Sequence, residues 1–141
     1  MEDWQQVKRA VFARHSNPWS AWTRWASAPL MLVPVWRRSW RDAVLVGVWM
    51  GVNPVVFGKP ANDQAWSTRA VLGEEQWIAE RPMDAAMAVE VATTAAALVA
   101  MVAASRHCPI PAAAATACEM GLLLAYWELM ARYYGRSGGV G

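Results

Sequence analysis

Two stretches near the C-terminus constrain this chain more than anything else in it. From Ala85 to Ala104 the only ionised side chain is Glu90, and from Cys108 to Ala125 it is Glu119. Each stretch approaches the roughly 20 apolar residues that a helix needs to cross about 30 Å of hydrocarbon. A water-soluble domain must cover its surface, and about a quarter of its side chains are ordinarily charged. Here 17% are, against 56% hydrophobic residues and ten tryptophans. The expected class is all-α: one membrane-embedded domain over residues 1–141, an integral membrane helical bundle. A soluble Ala-rich bundle is the competing reading, and fractionation without detergent separates the two.

The expected spans are 25–40, 42–57, 83–105 and 110–132, the first two short, with an interfacial helix over 64–80. Trp4 to Arg14 patterns as a short amphipathic helix with Trp4, Val7, Ala10 and Val11 on one face. His15-Ser16-Asn17-Pro18 breaks it, and Ser16 or Asn17 can cap a second helix with Pro18 at its first position. That helix, Pro18 to Ala28, aligns Trp19, Trp22 and Trp25, a pattern suited to a membrane interface. The stretches 25–40 and 42–57 read either as a tight hairpin of short spans, the favoured arrangement, or as a re-entrant piece beside a single crossing. In the polar middle, Asn62-Asp63 can cap a helix that puts Trp66, Ala70, Gly73 and Trp77 on one face, lying on the surface or across the bundle mouth. The last two spans turn at Arg106-His107-Cys108-Pro109. Their alanines and Gly121 suit close helix approach. No cleavable signal peptide is expected from the polar residues 1–14.

With both ends inside, Lys8, Arg9, Arg14, Arg24, Lys59, Arg69, Arg81, Arg132 and Arg136 face one side, and Arg37, Arg38, Arg41 and Arg106 the other. That favours this orientation, although the Arg37/Arg38/Arg41 cluster counts against it. A net charge of +2 without a basic face excludes a nucleic-acid partner. Membrane lipids, a second copy of the chain or another membrane protein are the partners expected, in a bacterial inner or plasma membrane.

Chemistry concentrates on few residues. A carboxylate at mid-bilayer costs at least a few kcal/mol, so Glu90 and Glu119 are expected to face the bundle interior, as helix glue or as proton-handling groups. About the Arg106–Pro109 turn, Glu90 falls level with Tyr126 and a hydrogen bond between them is expected, with Glu119 roughly 9 Å away along the axis. Glu128 pairs with Arg132 one turn on, and Asp84 serves a helix N-terminus. Cys108 and Cys118, roughly 15 Å apart along one helix, cannot form a disulfide and read as buried inert thiols. His107 lacks a second ligand at useful spacing, so no metal is expected. No phosphate loop, nucleophile elbow, zinc-helix motif or C-x-x-C is present, and no cofactor is expected.

The segment Arg14-His15-Ser16-Asn17-Pro18-Trp19-Ser20-Ala21-Trp22-Thr23-Arg24 carries more hydrogen-bonding groups beside three tryptophans than a helix cap requires. With Asn53-Pro54, Trp66-x-x-Arg69 and Val71-Leu72-Gly73-Glu74-x-x-Trp77, it resembles the domain of unknown function numbered 6653, from about Arg14 to Tyr134. The resemblance implies a small multi-span helical membrane protein, with no activity to carry over. It singles out His15, Asn17, Trp19, Arg24, Asn53, Arg69, Glu74 and Trp77, which a hairpin of the first spans would bring to one membrane face.

Two functions fit these residues. One is a non-catalytic membrane protein that scaffolds, or binds a lipid or partner at its polar mouth through Asn17, Trp19, Arg24, Asn53, Arg69 and Trp77. The other is a small membrane enzyme or proton or ion conductor, with His15, Glu74, Glu90 or Glu119 as acid or base and Arg24 or Arg69 holding an anionic headgroup.

Overall fold

The structure, a computed structural model, describes residues 2–80 and 82–137; Arg81, counted above with the inner-face cations, lies outside them. Helix α1 covers Glu2–His15 and α2 covers Pro18–Ser27. A 3₁₀ stretch, Ala28–Leu32, leads into the five-residue α3, Val33–Arg37. Then follow α4 (Trp40–Val56), α5 (Trp66–Glu80), α6 (Ala85–Ser105) and α7 (Pro109–Ser137). Among the described residues there is no strand. Two helices, α6 and α7, are long and apolar enough to cross a membrane.

The stretch expected as one span over 25–40 is not one helix. Pro29 and Pro34 lack the N–H that an α-helical ladder needs at those positions, and the chain answers with α2, the 3₁₀ stretch and α3 in succession. These three pieces nevertheless run antiparallel to α4. Asn17 reaches the Gly58 carbonyl, Ser20 and Thr23 meet Asn53, and Ser27 meets Trp49, a steady register about the Arg38–Ser39 turn. The expected hairpin therefore forms, with a broken first arm. Asn53-Pro54 lies inside α4 rather than ending it.

Both sharp turns use a residue in the left-handed region. Arg38 has φ 50° and His107 has φ 55°. The Cys108 N–H bonds the Ala103 carbonyl at 2.9 Å and the His107 N–H bonds that of Ala104 at 3.0 Å, while Ser39 and Arg38 do the same to Pro34 and Val35. This pairing satisfies the last carbonyls of a helix at a left-handed residue. The next helix starts at once: Pro109 occupies the first position of α7, and the Ser39 hydroxyl accepts from the Asp42 N–H. The two turns lie together, with the His107 ring 4.9 Å from that of Trp36. Arg37, Arg38 and Arg106 thus share one end of the molecule.

The other end is built by α5. It crosses α7 rather than running along it, since its named partners there all fall between Tyr126 and Tyr134: Trp66 with Trp127, Trp77 with Tyr126, Glu80 with Tyr133 and Asp63 with Tyr134. The crossing is close. A Cβ on Gly73 would lie 2.0 Å from the Met130 carbonyl oxygen. The face Trp66, Ala70, Gly73, Trp77 packs inward as expected. Gly121, expected at a close approach, has nothing within 4 Å of a Cβ.

Tryptophans gather where α2, α5 and α7 meet. The Trp22 ring lies 5.8 Å from Trp25, 5.9 Å from Trp66 and 5.7 Å from Trp127. The expected interfacial stripe is accordingly split: Trp25 packs against the core, Trp22 stacks in this cluster while staying partly open, and Trp19 stands most exposed. Indole N–H groups find acceptors, Trp25 on the Met120 carbonyl, Trp66 on Glu128 and Trp77 on Asp84. By contrast the apolar face of α1, Trp4, Val7 and Val11, is exposed, as are Leu45, Val48, Val55, Leu98, Val102 and Ile110.

Candidate functional site

The corner His15-Ser16-Asn17-Pro18 is fixed from two sides. The Asn17 side chain caps α2 by accepting the Trp19 N–H and donates to the Gly58 carbonyl. Thr68, fully buried on α5, donates to the Ser16 carbonyl at 2.6 Å. Below it, Asn53 is wholly buried. Its Oδ1 accepts from Ser20 and its Nδ2 donates to Thr23, both at 2.9 Å. A buried amide so engaged fixes α2 on α4, because losing either partner would strand a desolvated group. Asn53 and Asn17 therefore position the site, and neither lies on the cavity lining.

This scaffold brings His15, Arg24 and Glu74 around one cavity of about 370 Å³, walled otherwise by Trp25, Ala28, Met31, Met50, Val71, Leu123 and Trp127. The Arg24 guanidinium donates to His15 Nε2 at 2.7 Å and to the Ser20 carbonyl at 3.3 Å. With Nε2 as acceptor, the imidazole is the neutral Nδ1–H tautomer. Burial, reinforced by the Arg24 charge, pushes His15 down to about 4. The Glu74 carboxyl is raised, first by burial; the Tyr126 hydroxyl opposes the rise, Glu90 adds to it and Arg24 reduces it. Among the described residues Arg24 makes no ion pair; the pairs are Arg37–Asp42 and Arg132–Glu128.

The Tyr126 hydroxyl donates to Glu74, at 3.3 Å, and not to Glu90 as its register suggested. The reason is α5, which crosses α7 at that level and inserts Glu74 first. Glu90 stays close enough for its charge to act on Glu74. Glu119 lies partly buried on α7 outside the cavity lining. Arg69 is exposed on the far side of α5, and Trp19 is likewise outside the cavity. Trp77 is buried and donates to Asp84, which also caps α6 by accepting the Met87 N–H. The Glu128–Arg132 pair forms at 2.7 Å. Both cysteines are exposed, against the expectation of buried thiols: Cys108 sits in the turn, and Cys118 is on the outer side of α7.

Sequence reasoning named Ser16 only as a possible cap and Ser20 only within the polar segment, and overlooked Thr68. A signal existed for the first two. Ser16, Ser20, Thr23 and Ser27 recur at helical spacing, a polar stripe that needs a buried polar partner, and Asn53 is that partner. It also overlooked Met31, Met50, Leu123 and Trp127 as cavity walls, whose sequence surroundings resemble any other apolar segment.

The cavity presents a cation without an ion pair among the described residues, a neutral imidazole and a carboxyl of raised affinity for protons against an apolar wall. Such a set can receive an anion and share a proton with it. No curated protein and no solved structure matches the chain. Residues 5–120 match a family described as a family of unknown function (DUF6653), and the chain belongs to that family.

Proposed function

We propose that the chain is an integral membrane protein that binds the anionic group of a lipid or small amphiphile in its mouth cavity, through Arg24. In this reading it crosses the bilayer four times, through the broken α2–α3 arm, α4, α6 and α7, with α5 lying across the mouth at the interface and membrane lipids as neighbours. A bacterial inner or plasma membrane is the setting.

The membrane part is supported by the surfaces of α6 and α7. Only 17% and 22% of their apolar stretches are buried, whereas the core helix of a water-soluble protein is mostly buried. Leu98 is 62% and Ile110 80% exposed. In lipid those side chains need no cover.

One observation carries the binding reading. Arg24 is held half-buried in a 370 Å³ cavity by a neutral histidine and a carbonyl, with no ion pair among the described residues. A buried charge is costly unless an opposite charge answers it, and the cavity is within the size range of small-molecule sites. Glu74, whose carboxyl burial raises, lines the same cavity.

The test uses the full chain in a non-ionic detergent, titrated with butanoate and with butyl phosphate. Trp25 and Trp127 line the cavity, so tryptophan fluorescence reports occupancy. Arg24→Gln should weaken binding at least tenfold, the scale of a lost charge-assisted hydrogen bond. Arg69→Gln, outside the cavity, should leave it unchanged. Equal affinity in wild type and Arg24→Gln would overturn the binding reading. Recovery of a monodisperse chain in water without amphiphile would overturn the membrane one.

A further inference from the structure

A second cavity, of about 520 Å³, lies between the broken first arm and α4, walled by Met31, Pro34, Val35, Trp40, Ala43, Val46, Gly47, Met50 and Met101, with Arg38 and Ser39 at its far end. Met31 and Met50 line both this groove and the mouth cavity. They are the partition between the two spaces, and methionine, unbranched and flexible, is the side chain best able to yield to an elongated guest. From Met50 to Trp40 the groove follows ten residues of α4, about 15 Å at the helical rise. That is half of the about 30 Å hydrocarbon thickness, the depth occupied by one chain of one leaflet.

Resting on the reading of Arg24 as an anion site, we infer that its ligand is a long-chain amphiphile. The anionic head sits at Arg24, and one alkyl chain passes Met31 and Met50 to lie in the groove along α4. The groove is nearly all hydrocarbon in lining, and its one cation, Arg38, stands at the far end. A polar ligand would find no partner between the two. The other large groove, against Leu98, Val99, Val102 and Pro111, has a cation of its own in Arg106 but shares no residue with the mouth cavity. The two methionines shared with the Arg24 cavity distinguish the α4 groove from ordinary lipid-facing surface.

Gly47 gives a direct test. It lines the groove, and a Cβ built on it meets nothing within 4 Å. Gly47→Trp therefore starts its side chain in open groove space and occupies the groove, and Gly47→Ala leaves it open. The full chain is reconstituted in phosphatidylcholine vesicles and irradiated with dodecanoate bearing a diazirine at its methyl end. A second arm uses phosphatidic acid with the same group at the end of one chain, and a third uses a short diazirine-bearing butanoate. In wild type and Gly47→Ala, a long probe should label the segments 31–35 and 43–50. Gly47→Trp should cut that labelling at least tenfold while butanoate still labels the mouth in an Arg24-dependent way, which also shows that the variant folds. Groove labelling by phosphatidic acid assigns the ligand to the bilayer, and by dodecanoate alone to a free fatty acid; either supports the groove.

Labelling spread evenly over the groove and the Leu98–Val102 face, and indifferent to Gly47→Trp, would overturn the inference and leave the Arg24 reading standing. Butanoate labelling that survives Arg24→Gln would remove the Arg24 reading itself.

Discussion

The two ends of the long hairpin are held together differently. Where α2, α4, α5 and α7 meet, polar groups are buried across helix boundaries: Ser20 on Asn53, Asn53 on Thr23, Thr68 on the Ser16 carbonyl, Tyr126 on Glu74. In the middle and far parts of α6 and α7 the polar side chains serve their own helix. Thr93 donates to the Val89 carbonyl and Thr116 to that of Ala112, each one turn back. The near end needs particular residues in particular places. The far part needs only small apolar ones, and its outer face is left to the surroundings. Specific, directional contact at one end and generic packing at the other is a division that suits a site at the near end.

The sharpest break in this comparison is a single methyl group on each side. Gly73→Ala places a Cβ where the Met130 carbonyl oxygen already lies, with backbone on both sides of the contact. Helix α5 must lift off α7, at a cost of about 3–5 kcal/mol. Gly121→Ala, on α7 with open space around it, should instead stabilise by about 0.5–1 kcal/mol through helix propensity. Thermal unfolding in detergent measures both. If Gly73→Ala melts with wild type, the close crossing is wrong.

Next in size is the buried amide. Asn53→Leu strands the buried Ser20 hydroxyl, while Thr23 keeps its bond to the Trp19 carbonyl, and should cost about 1–3 kcal/mol. Thr116→Val removes only a bond within one helix and should cost less than about 1 kcal/mol. Similar losses for both would erase the distinction between the two regions.

That distinction also explains how much the sequence conveyed. The α6–α7 hairpin was legible because it depends on composition and on a turn whose Pro109 marks the start of a helix, both local properties. The inward face of α5 was legible for the same reason, through the spacing of Trp66, Gly73 and Trp77. Grouping His15, Arg24 and Glu74 followed from the family resemblance and the hairpin geometry. What stayed hidden depended on how helices cross. Tyr126 was paired with Glu90 by counting from the turn, because nothing local announced that α5 would interpose Glu74. The unity of 25–40 failed at Pro29 and Pro34, whose effect on a ladder is local but whose compensation, a bent arm still in register with α4, is tertiary. The outward position of Arg69 needed the crossing angle, which no spacing supplies.

A smaller effect sharpens the account of the near end. The His15 imidazole is pushed from 6.5 to about 4 in the folded chain. Between those values the unfolded chain takes up a proton that the folded one refuses, so this contribution to stability is full above pH 6.5 and shrinks as pH falls toward 4. Glu74 acts oppositely, since a raised carboxyl lets the folded state take its proton first. His15→Gln isolates the first term. Wild type should lose about 1 kcal/mol relative to the variant between pH 7 and pH 5, the full linkage being reduced because the ring is partly solvated. Parallel pH profiles for the two would mean that the imidazole is not held neutral against Arg24.

The smallest effect belongs to the far end, and there the sign is informative. Arg38 ends α3 at φ 50°, a conformation that costs a side-chain-bearing residue about 1 kcal/mol and glycine almost nothing. Its side chain is exposed and makes no ion pair among the described residues; the neighbouring Arg37 takes Asp42. Arg38→Gly should therefore stabilise by about 0.5–1 kcal/mol, if the turn is governed by backbone geometry alone, as generic packing requires. A loss of stability would show that the guanidinium holds something the turn's own hydrogen bonds do not. Repeating the measurement in vesicles with and without anionic lipid separates the two cases. A gain in neutral vesicles that becomes a loss in anionic ones would place Arg38 at a headgroup layer and make the far end, too, a place where a particular residue matters.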